Sequence, residues 1–143
     1  MLKRNTIMKT LLLTFLLLVI CSPCFMLIAC NDEPTVYKLY RYGTGDEVYD
    51  IGDDFYGMEM KKDFVKLTLD KDGKAELKIN LGFVEGSEYL QDEYHTCKGT
   101  YTETETEIKA VFPELNIPVL TGEKIGKTLI VSLGDDETLI LKK

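Results

Sequence analysis

The sequence predicts an all-β domain, an antiparallel up-and-down meander of about eight strands that closes into a small barrel behind an N-terminal signal segment. Three observations carry this prediction. Apolar and polar residues alternate with a period of two in several segments, as strands with one buried face require. Short clusters of Asp and Gly separate these segments and supply turn chemistry. Beyond residue 29 no stretch shows the three-and-four spacing of an amphipathic helix. Closing the meander into a barrel also removes the unpaired edges that invite aggregation.

The chain opens with Lys3, Arg4 and Lys9, continues with an uncharged apolar run from Leu11 to Ala29, and reaches Cys30. A basic start, an apolar middle and a small residue before the cut are the parts of a secretory signal. Uncharged apolar runs of roughly 18 residues or more also suffice to span a bilayer. Here Ser22 and Pro23 weaken a regular helix in the second half. Leu27-Ile28-Ala29-Cys30 resembles the lipobox of bacterial lipoproteins. The resemblance implies that the Cys30 thiol receives a diacylglycerol and that the chain is cut on its amino side. Residues 1–29 are then a signal peptide, residues 30–35 the lipidated cysteine with a short acidic tether, and residues 36–143 the domain. Cys21 and Cys24 do not compete, because Ile20 and Pro23 are poor residues before a cut. An uncleaved anchor and plain secretion are the alternatives. Two or more acyl chains, at about 0.8 kcal/mol per buried methylene, tether a domain stably. The implied location is the cell envelope, on a membrane outside the cytoplasm.

The domain then reads strand by strand. Val36 to Tyr42 is β-prone, with Tyr40 and Tyr42 expected on one face with Val36 and Lys38, and Gly43-Thr44-Gly45 ends it. Residues 46–63 are acidic and irregular, a loop or a helical turn. Val65, Leu67 and Leu69 alternate with Lys66, Thr68 and Asp70, and Ala75, Leu77 and Ile79 with Lys74, Glu76 and Lys78. Asp70-Lys71-Asp72-Gly73 joins them as a hairpin turn, with glycine available for a positive φ. Tyr94 to Tyr101 is a further strand, and Thr102 to Glu107, for all its repetition, reads as a polar hairpin tip. Ile108, Ala110 and Phe112 form the next inward face, and Pro113 and Pro118 bracket an edge or loop. Leu129, Val131 and Leu133 precede the turn Gly134-Asp135-Asp136, and Thr138 to Leu141 closes the fold.

Losing residues 1–29 leaves 114 of the 143 residues, enough for one domain with a real core. The whole chain carries −7, and removing three basic residues with the signal makes the remainder −10. A domain this acidic is repelled by nucleic acid and anionic headgroups, which excludes nucleic acid as a partner. Cys97 is the one thiol left unmodified, so no intramolecular disulfide can form. The CxxC spacing of Cys21 and Cys24 leaves with the signal.

Beyond Cys30, the early Tyr37-x-Leu39, the hairpin Leu67 to Ala75, the Gly99-Thr100-Tyr101 strand and the closing Thr128 to Val131 with Thr138 to Lys143 resemble the lipocalin-like domains of bacterial lipoproteins. The family's usual mid-strand tryptophan is absent, with Tyr94 or Tyr101 in its place. The resemblance implies an eight-stranded antiparallel barrel with an interior pocket. The candidate ligand-binding residues are Tyr37, Leu39, His95, Cys97 and Tyr101.

Other chemistry is thinly represented. His95 and Cys97 sit two apart on one strand face, but two donors do not complete a metal site, and a tetrahedral zinc centre needs carboxylates from distant strands. Asp70-x-Asp72-Gly73 fails the EF-hand loop, and neither Asp135-Asp136 nor the acids at 46, 47, 50, 53 and 54 supply its pattern. Ser87 and Ser132 lack a nucleophile context. No metal, no cofactor and no catalysis are expected. The function expected is that of a monomeric, membrane-anchored binding module for a small apolar or amphipathic ligand. Inward Ala75, Cys97, Gly99 and Ala110 would help to hollow it. The alternative is a filled barrel that binds proteins through loops 43–63 and 81–93. An interior volume of about 300 Å3 or more favours the pocket.

Overall fold

In the computed structural model the described residues are 33–115 and 119–143. The signal segment, Cys30 with the first part of its tether, and Pro118 lie outside them. Thr35 to Thr44 forms β1, Val65 to Leu69 β5 and Lys74 to Asn80 β6. Tyr94 to Glu103 forms β7, Glu107 to Val111 β8, Val119 to Ile125 β9, Thr128 to Ser132 β10 and Glu137 to Lys142 β11. These eight strands pair antiparallel with their neighbours in sequence, and β11 pairs back onto β1 to close the barrel. Three shorter strands lie between β1 and β5: β2 (Glu47–Asp50), β3 (Asp54–Phe55) and β4 (Met58–Glu59). Residues Pro34–Lys143 form one compact unit with its own core. Among the described residues no helix is long and apolar enough to cross a membrane.

The expected turns form by the expected chemistry. Asp70 Oδ1 accepts from the amides of Asp72 at 3.0 Å and Lys74 at 2.9 Å, while Gly73 takes φ +77°. At the Thr-Glu repeat, Thr104 Oγ1 accepts from the Glu107 amide at 3.0 Å, making the hairpin tip between β7 and β8.

Two expectations are corrected. Tyr40 and Tyr42 do not share a face. The register of β1 against β11 slips between Leu39 and Arg41, so Tyr40 is the extra residue of a bulge. Tyr37, Leu39 and Tyr42 are buried, and Tyr40 is turned out beneath the Lys142 ammonium, 3.3 Å from its ring centre. Residues 46–63 are not an irregular loop. They hold β2, β3, β4 and a 3-10 turn at Lys62–Phe64, and bury Phe55, Met58, Met60 and Phe64. Their acids make local bonds: Asp50 pairs with Arg41 at 2.6 Å, Asp53 accepts from the Asp50 amide, and Asp54 accepts from the Gly57 amide.

The segment 81–93 contains α1, the five-residue helix Leu81–Glu85, and a 3-10 turn at Glu88–Leu90. Buried Asn80 fixes it. Its Oδ1 caps the Phe83 amide at 2.9 Å, and its Nδ2 donates to the carbonyls of Gln91 at 2.6 Å and Glu93 at 3.2 Å. Gly86, in the left-handed region at φ +61°, ends the helix.

Candidate functional site

Inward faces of β5, β6, β8, β9, β10 and β11 enclose an apolar cavity of about 280 Å3. Val65 and Leu67, Leu77 and Ile79, Ile108 and Ala110, Leu120 and Gly122, Leu129 and Val131, and Leu139 and Leu141 form its wall. Phe83 and Val84 of α1, Leu115 after β8, and Leu133 after β10 complete its lining. Every described lining residue is apolar. Period-two alternation creates this surface: each strand contributes two inward positions, and at Gly122 the Leu129 side chain takes the space that a side chain would need. Val84 is 57 % exposed and Leu115 and Leu133 are half-buried, which puts the mouth between α1, the segment after β8 and the turn after β10.

The other end of the barrel is filled. Tyr37 packs under the Lys143 ammonium, the Tyr101 hydroxyl donates to the Asp70 carbonyl at 2.6 Å, and the Lys124 ammonium donates to Glu103 at 2.6 Å and to the Thr104 carbonyl at 2.9 Å. Burial raises the pKa of Tyr37 above its ordinary value, with the charge of Glu103 adding and Lys124 opposing. Burial also raises Tyr101, helped by Glu103 and Asp70.

The five candidate ligand-binding residues therefore fall in three places. Tyr37, Leu39 and Tyr101 belong to the packing of β1 and β7, and none of the three lines the cavity. Cys97 is fully buried on β7 and also stands outside the lining, and His95 is exposed. Of the small residues expected to hollow the barrel, Ala110 lines the cavity, and Ala75, Cys97 and Gly99 do not. Cavity residues missed in the sequence are mainly branched aliphatics that read as ordinary core.

His95, Cys97 and Glu114 bring one donor atom each to within 4.8 Å of one another. Glu114 is the distant carboxylate that the sequence could not place, and its Oε2 lies 3.9 Å from His95 Nε2. Burial, and then the charge of Glu114, push the Cys97 thiol above its ordinary pKa, so this grouping holds a protonated thiol rather than a thiolate.

Together these features define the class: a closed eight-stranded antiparallel meander barrel, filled at one end and hollow with an apolar lining towards the other, compatible with a lipocalin-like barrel. Comparison with protein-family models, curated proteins and solved structures finds no match for the chain.

Proposed function

We propose that the protein is a lipid-anchored binding module outside the cytoplasm, holding a small apolar or amphipathic ligand in its barrel. The cavity carries this reading: a wholly apolar described lining, open at one end. Its volume of about 280 Å3 falls just under the roughly 300 Å3 at which small-molecule pockets usually begin. The lipobox-like Leu27 to Cys30 supports the anchor. The chain enters the barrel at its filled end, where Thr35 pairs with Leu69. An anchor five residues earlier tethers that end and leaves the mouth free.

The test is native mass spectrometry of residues 31–143, exported by a bacterial host and purified without detergent. A reproducible extra mass, lost on denaturation and absent from Ala110→Leu, is the expected result. Leu at position 110 fills the cavity from its wall while keeping an apolar face. An extra mass that survives Ala110→Leu would place the ligand elsewhere. A bare monomer in both would favour the surface reading, which the exposed Tyr56, Val84 and Tyr89 support.

A further inference from the structure

We infer that the ligand of this cavity carries a positively charged head group, an amine or quaternary ammonium, on its aliphatic tail. The inference rests on the pocket reading above and deepens it. The described lining of the cavity offers a head group nothing polar, so the head must lie at the mouth. There a second cavity, of about 320 Å3, shares Phe83 and Val84 with the first and adds Tyr42, Phe55, Tyr56, Glu85 and Glu137 to its wall.

The strand geometry joins the two. Glu137, Leu139 and Leu141 alternate along β11, and Leu139 and Leu141 line the deep cavity, so Glu137 stands one step nearer the mouth on the same face. Tyr42 is the register partner of Leu139, and its hydroxyl donates to Glu137 Oε1 at 2.9 Å. Tyr42 and Phe55 meet edge to face at 5.7 Å, which leaves ring faces and carboxylates around one space. Tyr56 completes the wall at a cost. Its φ of +52° lies in the left-handed region, a conformation that disfavours any residue with a side chain. Its ring covers Gly86, where a Cβ would meet it at 3.3 Å.

Charge decides the sign of the head. Segments 44–57, 81–93, 112–118 and 133–137 together contain thirteen Asp and Glu and no Lys or Arg. The Lys and Arg nearest in sequence, Arg41, Lys78 and Lys109, each stand three positions outside these segments; Arg41 pairs with Asp50, Lys109 with Glu107, and Lys78 lies over the Tyr94 ring. A fatty carboxylate seated here would face Glu85 and Glu137 without a cation to answer it. An ammonium gains both the carboxylates and the aromatic faces.

Residues 31–143 contain the closed barrel and its own core, so they serve for the measurement. Decyltrimethylammonium, decanol and decanoate have matched tails and differ in the head. Displacement of an apolar fluorescent probe, below the micellar range and at mild alkaline pH, ranks them. The ammonium is expected to bind about tenfold more tightly than the alcohol, with decanoate weakest. Glu85→Gln with Glu137→Gln should close the gap between ammonium and alcohol, and Glu85→Gln alone, at an exposed helix position, should narrow it. Tetramethylammonium, which has no tail, should not displace the probe. Equal affinities, tightest binding by decanoate, or displacement by tetramethylammonium would overturn the charged-head inference and leave the pocket standing. Failure of all three long-chain compounds to displace the probe would overturn the pocket itself.

Discussion

Asn80 shows how one polar side chain shapes the mouth. It is fully buried, and its three hydrogen bonds all go to the segment that carries Phe83 and Val84. Replacing it with Ala takes the side-chain partner from the Gln91 carbonyl and the Phe83 amide, while the Glu93 carbonyl keeps its bond from the Leu81 amide. The expected cost is about 1–3 kcal/mol, read as a lower midpoint in urea unfolding. Asn80→Asp keeps the acceptor for Phe83 but turns the donor group towards Gln91 and Glu93 into an acceptor, so it should be at least as damaging. A variant as stable as the parent would mean that α1 is held by packing alone. Asn80 was missed in the sequence: its cap on Phe83 is local but belongs to a helix of only five residues, and its other two partners are carbonyls eleven and thirteen residues ahead. For the same reason Glu114 was invisible as a neighbour of His95 and Cys97. Tyr37, Leu39 and Tyr101, candidates taken from the sequence, stand outside the lining of the apolar cavity, a placement that pattern alone does not give.

Elements were most legible where alternation and turn chemistry agreed. The β5–β6 hairpin and its Asp70–Gly73 turn form where sequence placed them, because each local preference supports the same pairing. Legibility ended where one residue breaks the period. A bulge at Tyr40 costs no unusual residue, yet it reverses which of the following side chains point inward. Glycines mislead in a similar way. Gly99 was expected to hollow the barrel, but a Cβ there would come within 1.9 Å of the Val111 carbonyl oxygen, so it permits a close approach of two backbones. At Gly122 a Cβ would meet the Leu129 side chain at 2.6 Å, a contact that a rotamer change can relieve. Gly99→Ala is therefore expected to be the more destabilising, by about 1–3 kcal/mol or more, with Gly122→Ala clearly milder. Thermal melts of the two variants beside the parent check the order, and equal losses would show that β7 can move away from Val111.

At the scale of the whole molecule, burial and acidity act together on protons. Burial raises the pKa of Tyr37, Tyr42 and Tyr101, and the hydrogen bond to Glu137 adds to it at Tyr42. Tyr49 is pushed up to about 12, chiefly by its bond to Glu47. Each hydroxyl holds its proton more tightly folded than unfolded. Such groups contribute stability that is whole below their unfolded value and is lost as pH rises through the folded one. For tyrosine that loss begins near pH 10. Asp63 acts in the opposite sense, since its bond with Lys38 lowers its pKa and its contribution disappears only as pH falls through that lowered value. Asp63 is largely exposed, so the acid limb should be shallow. The melting temperature of residues 31–143 is thus expected to be level from weakly acid to weakly alkaline pH and to fall steeply above about pH 10. Rising negative charge as lysines lose their protons would also lower it, and added salt screens that part of the effect. Tyr37→Phe removes one hydroxyl whose pKa burial raises in the folded state. In high salt it should flatten the alkaline fall without moving the neutral plateau by more than its packing cost. An unchanged alkaline slope in Tyr37→Phe, Tyr42→Phe and Tyr101→Phe alike would assign the fall to general charge repulsion instead.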